Sequence, residues 1–188
     1  MISTDEMKIY LKNNLLENRY IHTLGVVDTA VRLAKINDVD EKKAEIAALA
    51  HDIAKNMTIY ELKELLDKNN IELSYDEEKN QELWHSMVGP IVAKEIFKIE
   101  DEEILSAMRW HTTGKENMSK LDKVIYMADM IEPNRRFPGV DDLRRETFKD
   151  LDNGVLQGLN HTIKFLLNKG VAIDINSIKA RNYLLLYK

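Results

Sequence analysis

Two aspartates in apolar surroundings are the residues of this sequence whose types most clearly point to chemistry. Asp52 follows His51 directly in AEIAALAHDIAK, and Asp129 lies within YMADMI. A carboxylate in such a setting loses solvation unless it has a partner, and a metal ion is a natural one because it accepts both nitrogen and oxygen ligands. Two alternatives remain open. Asp52 could be solvated where its helix ends, and Asp129 could share the exposed face of an amphipathic helix with Asp122.

The histidines share this preference for apolar faces and helix ends. His22 begins the apolar stripe of its helix, and His85 and His111 each follow a tryptophan at a predicted helix end. Each could instead be a packed or capping histidine, and for His161 we predict a surface or structural role. Together, four histidines and two aspartates on several helices predict a metal site between helices. Nitrogen and oxygen ligands without sulfur suit iron, manganese, zinc or magnesium.

Composition limits the classes of protein that could carry such a site. The chain has 188 residues, no cysteine, seven glycines, three prolines and a formal net charge of −5. The length predicts one domain, and the absence of cysteine excludes disulfides and thiol chemistry and is compatible with a cytoplasmic location. The negative charge argues against non-specific nucleic-acid binding. We expect no membrane segment, because no apolar run approaches the required length.

The elements that must position these residues are helices, because the apolar periodicity is helical almost throughout. Four Ser or Thr residues stand three positions before Glu or Asp, as in capping boxes: Ser3 with Glu6, Thr58 with Glu61, Ser74 with Glu77 and Ser119 with Asp122. We predict an all-α fold, a single helical bundle with the metal site between its helices. The predicted helices span about 4–17, 20–36, 41–54, 59–69, 75–83, 86–97, 101–111, 120–131, 142–152, 154–169 and 176–187.

The order His22, then His51-Asp52, then Asp129 resembles the H…HD…D signature of the HD superfamily of metal-dependent phosphohydrolases. Six segments between Arg19 and Asn182 are similar to the YqeK family, so the resemblance covers nearly the whole chain. These are RYIHTLGVVDTAVRLA, AALAHDIAK, LWHSMVGPIVAKE, AMRWHTTG, YMADMIEPNRRFPGV and IKARN.

That family comprises bacterial symmetrical diadenosine tetraphosphate hydrolases, which cut the central phosphoanhydride to give two ADP. The resemblance therefore implies a dinucleoside polyphosphate substrate and an ADP product. It also implies one HD domain over residues 1–188, with a core at about 19–132 and C-terminal helices in 142–188 that help close the nucleotide pocket.

The resemblance also assigns the metal ligands. It implies that a divalent or trivalent metal, expected to be iron, is held by His22, His51, Asp52 and Asp129. His85 and His111 occupy the positions where HD enzymes with two metals recruit further ligands, so one or two ions are expected. In this family these two histidines could instead, or also, touch the phosphates of the nucleotide.

Nucleotide contacts are assigned in the same way. Lys55, in an HD-x-x-K pattern, would face the phosphate chain, and Arg135 resembles a phosphate clamp. A wall from Ala172 to Ser177 would enclose the nucleotide, and it lacks the proline that the family often carries there. The full set of expected nucleotide-binding residues is Lys55, His85, His111, Thr112, Arg135, Ala172, Ile173, Asp174, Ile175, Asn176 and Ser177.

The expected mechanism is attack of a metal-bound hydroxide on an inner phosphate, with Asp52, His85 and His111 as the catalytic residues. Alternative hypotheses are another HD-type nucleotide phosphohydrolase, such as a nucleotidase, or a non-catalytic HD nucleotide-binding module. A cyclic-dinucleotide phosphodiesterase of the HD-GYP type is disfavoured because the sequence contains no Gly-Tyr-Pro. An exposed apolar helix face could also form a homodimer interface.

Overall fold

The computed structural model describes residues 1–187, and within them every regular element is helical. Lys188, the last residue of the predicted domain, lies outside the described residues. The helices are α1 (Thr4–Asn14), α2 (Glu17–Ile36), α3 (Glu41–Ala50), α4 (Ile59–Lys68), α5 (Tyr75–Lys79), α6 (Trp84–Phe97), α7 (Glu102–Trp110), α8 (Lys120–Ile131), α9 (Val140–Lys149), α10 (Leu151–Lys169) and α11 (Ile175–Leu186), with a short 3-10 turn at Gln81–Leu83. The all-α prediction is confirmed.

Helix α3 lies at the centre of the bundle and packs against α2, α7 and α8. Its small side chains explain this position, since Ala44, Ala47, Ala48 and Ala50 are all fully buried. Alanine has no bulk beyond Cβ, so neighbouring helices can approach closely. The residues that follow α3 are therefore surrounded by other helices.

Several helix boundaries follow from side-chain capping. The four predicted capping boxes are all present at the starts of α1, α4, α5 and α8. Each pairs a side-chain oxygen with a backbone N–H that has no partner within the helix. Asp122 closes one of these boxes and also accepts a hydrogen bond from Ser106 Oγ at 2.8 Å.

The structure corrects several of the predicted boundaries. Helix α3 ends at Ala50 rather than 54, and turns cover 51–56. The predicted helix 75–83 is two elements, because Asn80 leaves helical geometry with a ψ of 67°. Helix α9 begins at Val140 after Gly139, whose φ of +87° suits glycine. Consequently, His51 and Asp52 lie just after a helix rather than inside one.

The C-terminal helices form a second layer. Helix α10 packs against α8, α9 and α11, and in this way α11 is placed near the ends of the central helices. None of the helices in residues 1–187 has the length and apolar character needed to cross a membrane.

Candidate metal centre

Four side chains from α2, α8 and the turn after α3 meet at one point: His22, His51, Asp52 and Asp129. We call these four residues the first ligand group. Nε2 of His22 lies 2.9 Å from Oδ1 of Asp129 and 4.0 Å from Oδ2 of Asp52. Nε2 of His51 lies 3.4 Å from the same Asp52 oxygen and 3.9 Å from Asp129 Oδ1. These separations place two imidazole nitrogens and two carboxylates around a small common volume.

The other carboxylate oxygen of Asp52 faces a second ligand group, made of His85 and His111. Asp52 Oδ1 lies 3.4 Å from His85 Nε2 and 3.6 Å from His111 Nε2. The two histidine Nε2 atoms are 3.4 Å apart. Asp52 therefore lies between the two groups and presents one oxygen to each.

The buried Nε2 atoms show that this arrangement suits a metal. Nε2 of His22 and Nε2 of His51 are buried and make no hydrogen bond within the described residues, although both lie near carboxylates. Their Nδ1 atoms are engaged, with Glu132 Oε1 at 3.1 Å and with the Ala48 carbonyl at 2.7 Å. Such Nδ1 partners leave the Nε2 lone pair free for a cation. Ligand atoms of His22, His51 and Asp129 lie within 4.8 Å of one another, and so do those of His51, Asp52 and His111.

Both aspartates are held in the ionised form that a metal requires. Burial alone would raise the pKa of Asp52, but the neighbouring His51 and His111 outweigh burial and hold the pKa well below its usual value. Burial likewise opposes ionisation of Asp129, and His22 and Arg135 together reverse the effect and lower the pKa of Asp129. The alternative that Asp52 is solvated is wrong, since it is 3% exposed.

Asp122 and Asp129 do not share a solvent-exposed face either. Asp122 is 1% exposed, and its carboxylate lies 3.4 Å from Lys115 Nζ. The Asp129 side chain is 20% exposed and points toward His22 and Arg135. The exposed-face alternative is therefore wrong.

His85 of the second ligand group and His51 of the first differ in the direction of their pKa shifts. Burial lowers the pKa of His85 to about 3, and the proximity of His111 adds to the effect. His85 is thus neutral at physiological pH and its nitrogen can accept a cation. Burial also disfavours the charged form of His51, but Asp52 outweighs burial and raises the pKa of His51.

Two residues of the site were missed by sequence reasoning. Glu132 is 1% exposed and touches His22, as described above. A Cβ at Gly25 would lie 2.5 Å from Glu132 Oε2, so a residue without a side chain is needed there for the carboxylate to reach His22. Arg19 donates a 2.8 Å hydrogen bond to Asp52 Oδ2. Gly25, three positions after His22, was the available sequence signal, because a residue without a side chain there indicates that another group approaches the helix beside His22.

Lys55 and Arg135, the predicted phosphate-binding cations, both lie beside the metal centre. Lys55 Nζ is 3.4 Å from His85 Nδ1. Arg135 donates to Asp129 twice, from Nε to the backbone carbonyl at 2.8 Å and from a terminal nitrogen to Oδ1 at 2.6 Å. Arg135 therefore also orients a carboxylate of the first ligand group.

A cavity of about 440 Å³ lies next to the second ligand group, and we call it the first cavity. Helices α10 and α11 contribute to its wall, together with the segments before α6 and after α7. Asp174 caps α11 by accepting from the backbone N–H of Asn176, and Ser177 Oγ donates to the Thr113 carbonyl at 3.0 Å. Four of the predicted nucleotide-binding residues line this cavity: Thr112, Ala172, Asp174 and Ser177.

The remaining residues of the predicted wall adjoin the cavity without lining it. Ile173 is partly buried just before the cap of α11, and Ile175 and Asn176 form the first turn of that helix. His161 lies outside both ligand groups. Its ring is stacked on Phe137 with a centroid distance of 4.5 Å.

Comparison with known proteins agrees with this geometry. The HD domain family model matches residues 19–134, which hold every member of both ligand groups. A crystal structure from Clostridium acetobutylicum, described as a predicted HD superfamily hydrolase involved in NAD metabolism, is 47% identical and covers all of both chains with a TM-score of 0.97. The fold and family thus define a metal-dependent phosphohydrolase of the HD class.

Two curated relatives narrow the assignment. A symmetrical bis(5'-nucleosyl)-tetraphosphatase of Bacillus subtilis is 40% identical over 97% of this chain and 98% of its own length. A protein of the same name from Halalkalibacterium halodurans is 42% identical over 94% of each chain. The chain belongs to the YqeK family of HD-domain symmetrical bis(5'-nucleosyl)-tetraphosphatases.

Proposed function

We propose that this protein hydrolyses diadenosine tetraphosphate symmetrically to two ADP. The observation that carries the proposal is the position of Asp52 between two ligand groups, with one oxygen toward His22 and His51 and the other toward His85 and His111. Such a centre suits hydrolysis of a phosphoanhydride. The substrate is inferred from the two relatives, both of which are named symmetrical bis(5'-nucleosyl)-tetraphosphatases.

In this proposal the first ligand group holds one metal ion through His22, His51, Asp52 and Asp129. His85, His111 and the second oxygen of Asp52 hold a further ion, or the two histidines contact the phosphates. A metal bound there supplies a water molecule of lowered pKa and neutralises phosphate charge. We propose iron as the native metal, although the ligand atoms are also compatible with manganese or zinc.

The protein's own residues then position the substrate. Lys55 lies beside His85 and provides a compact positive charge for the equatorial phosphoryl oxygens. Arg135 provides a fork that can contact a phosphate while one nitrogen keeps Asp129 oriented. Asp52, already ionised, accepts a hydrogen bond from the attacking water and so keeps its lone pair directed at phosphorus.

The first cavity receives one nucleoside in this scheme. Thr112 and the segment from Ala172 to Ser177 lie where a ribose and base would leave the phosphate chain on the second-group side. The cavity volume of about 440 Å³ is within the range of small-molecule sites.

A cytoplasmic location and a homodimer complete the proposal. The absence of cysteine suits the first, and exposed apolar residues such as Ile21 suit the second.

An assay panel tests the proposal. Metal-loaded protein is incubated separately with diadenosine tetraphosphate, diadenosine triphosphate, AMP and ADP, and products are separated by ion-exchange chromatography. We expect ADP as the sole nucleotide product from diadenosine tetraphosphate. Formation of ATP and AMP would contradict symmetrical cleavage, and preferential release of phosphate from AMP would favour a nucleotidase. Binding of nucleotides with no turnover would favour a non-catalytic module.

A further inference from the structure

We propose that a second cavity, which adjoins the first ligand group, binds the other nucleotide half of the substrate. The cavity has a volume of about 420 Å³, and its lining includes Asn18, Asn134, Arg136 and Phe137. This inference rests on the proposed function. In this inference Arg136 and Phe137 recognise the second adenosine and its outer phosphate, which is the phosphate attached directly to that adenosine.

The symmetry of the reaction requires two such places. Cleavage at the central phosphoanhydride puts the reacting phosphorus in the middle of a four-phosphate chain, so an equal nucleotide half extends to each side. The lining of the first cavity includes Thr112, the residue after His111 of the second ligand group. The lining of the second cavity includes His22, a member of the first ligand group. The two cavities thus adjoin different ligand groups and have similar volumes, about 440 and 420 Å³.

The charges of the second cavity suit a phosphate next to the metal centre. Arg19 and Arg135 line its inner part, but each is paired with an aspartate, Asp52 at 2.8 Å and Asp129 at 2.6 Å. Arg136 differs from both. Within residues 1–187 it forms no salt bridge, and its guanidinium donates only to the backbone carbonyls of Pro133 and Arg135. Its positive charge is therefore uncompensated and faces solvent, as an outer phosphate requires.

Both cavities are also lined by a cation and an aromatic ring. In the first cavity Lys169 Nζ lies 4.7 Å from the centre of the Phe165 ring, and both residues line the wall. In the second cavity Arg136 and Phe137, which are neighbours in sequence, both line the wall, and the Phe137 ring packs against His161 with a tilt of 35°. Nucleic-acid bases stack on aromatic side chains with little dependence on base identity. Each cavity therefore offers a cation for a phosphate and a ring for a base.

The test compares substrates with two nucleosides and with one. Full-length, metal-loaded Arg136→Ala, Arg136→Lys and Phe137→Ala proteins are assayed on diadenosine tetraphosphate and on ATP, which ends at the inner phosphate of the second half. For Arg136→Ala we expect kcat/KM on diadenosine tetraphosphate to fall about tenfold, as for loss of one charge-assisted hydrogen bond. The fall on hydrolysis of ATP to ADP and phosphate should be less than about twofold, because ATP has neither the outer phosphate nor the second adenosine. Arg136→Lys should recover part of the loss.

Arg145→Ala is the matched control, because Arg145 is an exposed arginine on α9, paired with Asp142 and 72% exposed. It should change neither activity, and elemental analysis should give equal metal content in every variant. Equal losses on both substrates, or no loss on diadenosine tetraphosphate, would overturn the inference. If wild-type protein cleaves only the substrate with two nucleosides, the need for a second half is supported, and Arg136→Ala must still lower that activity. Failure of wild-type protein to cleave diadenosine tetraphosphate would instead refute the proposed function.

Discussion

The two ligand groups use the same imidazole chemistry in opposite electrostatic surroundings. The first group contains Asp129, shares Asp52 and has Glu132 behind His22. The second group has no carboxylate beyond its share of Asp52, and Lys55 lies 3.4 Å from one of its histidines. Arg19 and Arg135 offset two of these carboxylates. The first group therefore keeps a net negative charge, whereas the second is close to neutral.

This difference teaches that ligand type alone does not determine what a group of histidines binds. A cluster of carboxylates around two imidazoles favours a cation strongly, and a nearby lysine weakens the same preference. We expect the first group to hold its metal tightly. We expect the second group to exchange its ion readily or to share its function with phosphate oxygens.

The largest expected effect comes from Asp52, because it belongs to both groups. Asp52→Ala should abolish metal binding at both and lower kcat by about 10³-fold or more, since several kcal/mol of charge stabilisation are lost. Elemental analysis with steady-state kinetics measures both quantities. The Asp28→Ala variant is the control, because the Asp28 side chain is exposed on α2 and pairs only with Arg32. Full activity in a metal-free Asp52→Ala protein would refute the mechanism.

Removal of one histidine from each group would distinguish the contributions of the two groups to metal binding and turnover. His51→Ala should lose all bound metal and all measurable turnover. His111→Ala should retain about one ion per chain in the first group, while kcat falls by about 10²-fold through loss of electrostatic stabilisation. The measurement is metal stoichiometry after gel filtration. Identical stoichiometry in the two variants would show that the groups do not differ in affinity.

Substitution of Glu132 tests whether the residues behind the first ligand group strengthen its metal binding. Glu132→Gln keeps the shape of the side chain but removes the charge facing His22 Nδ1, so metal affinity should fall by about 10- to 100-fold. Gly25→Ala should act in the same direction, because its Cβ would displace the Glu132 carboxylate. Competition with a fluorescent chelator measures the affinity. An unchanged affinity in Glu132→Gln would show that the charge behind His22 does not strengthen metal binding.

Stepwise chelation should produce the smallest change. Removing metal from the first group should lower Tm by roughly 5–10 °C when the free metal had been about a hundredfold above Kd. A weak chelator that removes only the ion of the second group should leave Tm almost unchanged. Differential scanning calorimetry follows both steps. A single step with the whole loss of Tm would indicate that the two ions bind as one unit.

Much of the fold and part of the site could be predicted from the sequence. Helical periodicity and capping boxes are local, so the helices were predicted with boundary errors of a few residues. The His and Asp residues could be proposed because charged groups in apolar helices need partners. Glu132 was missed because its contact with His22 crosses 110 positions, and Gly25 alone does not identify the partner. Arg19 depends on how α2 meets the turn after α3, and the second cavity depends on how α2 meets the segment after α8. No local pattern encodes either arrangement.

The helix ends described above add a polarity to the site. His51 and His111 cap the C-termini of α3 and α7, and Asp129 lies two residues before the end of α8. The partial negative charge at the C-terminal end of each helix macrodipole attracts cations. His85 instead lies in the first turn of α6, where the positive end of a macrodipole attracts anions. The backbone at His51 and Asp129 thus favours metal in the first group, whereas the second group combines the negative end of α7 at His111 with the positive end of α6 at His85.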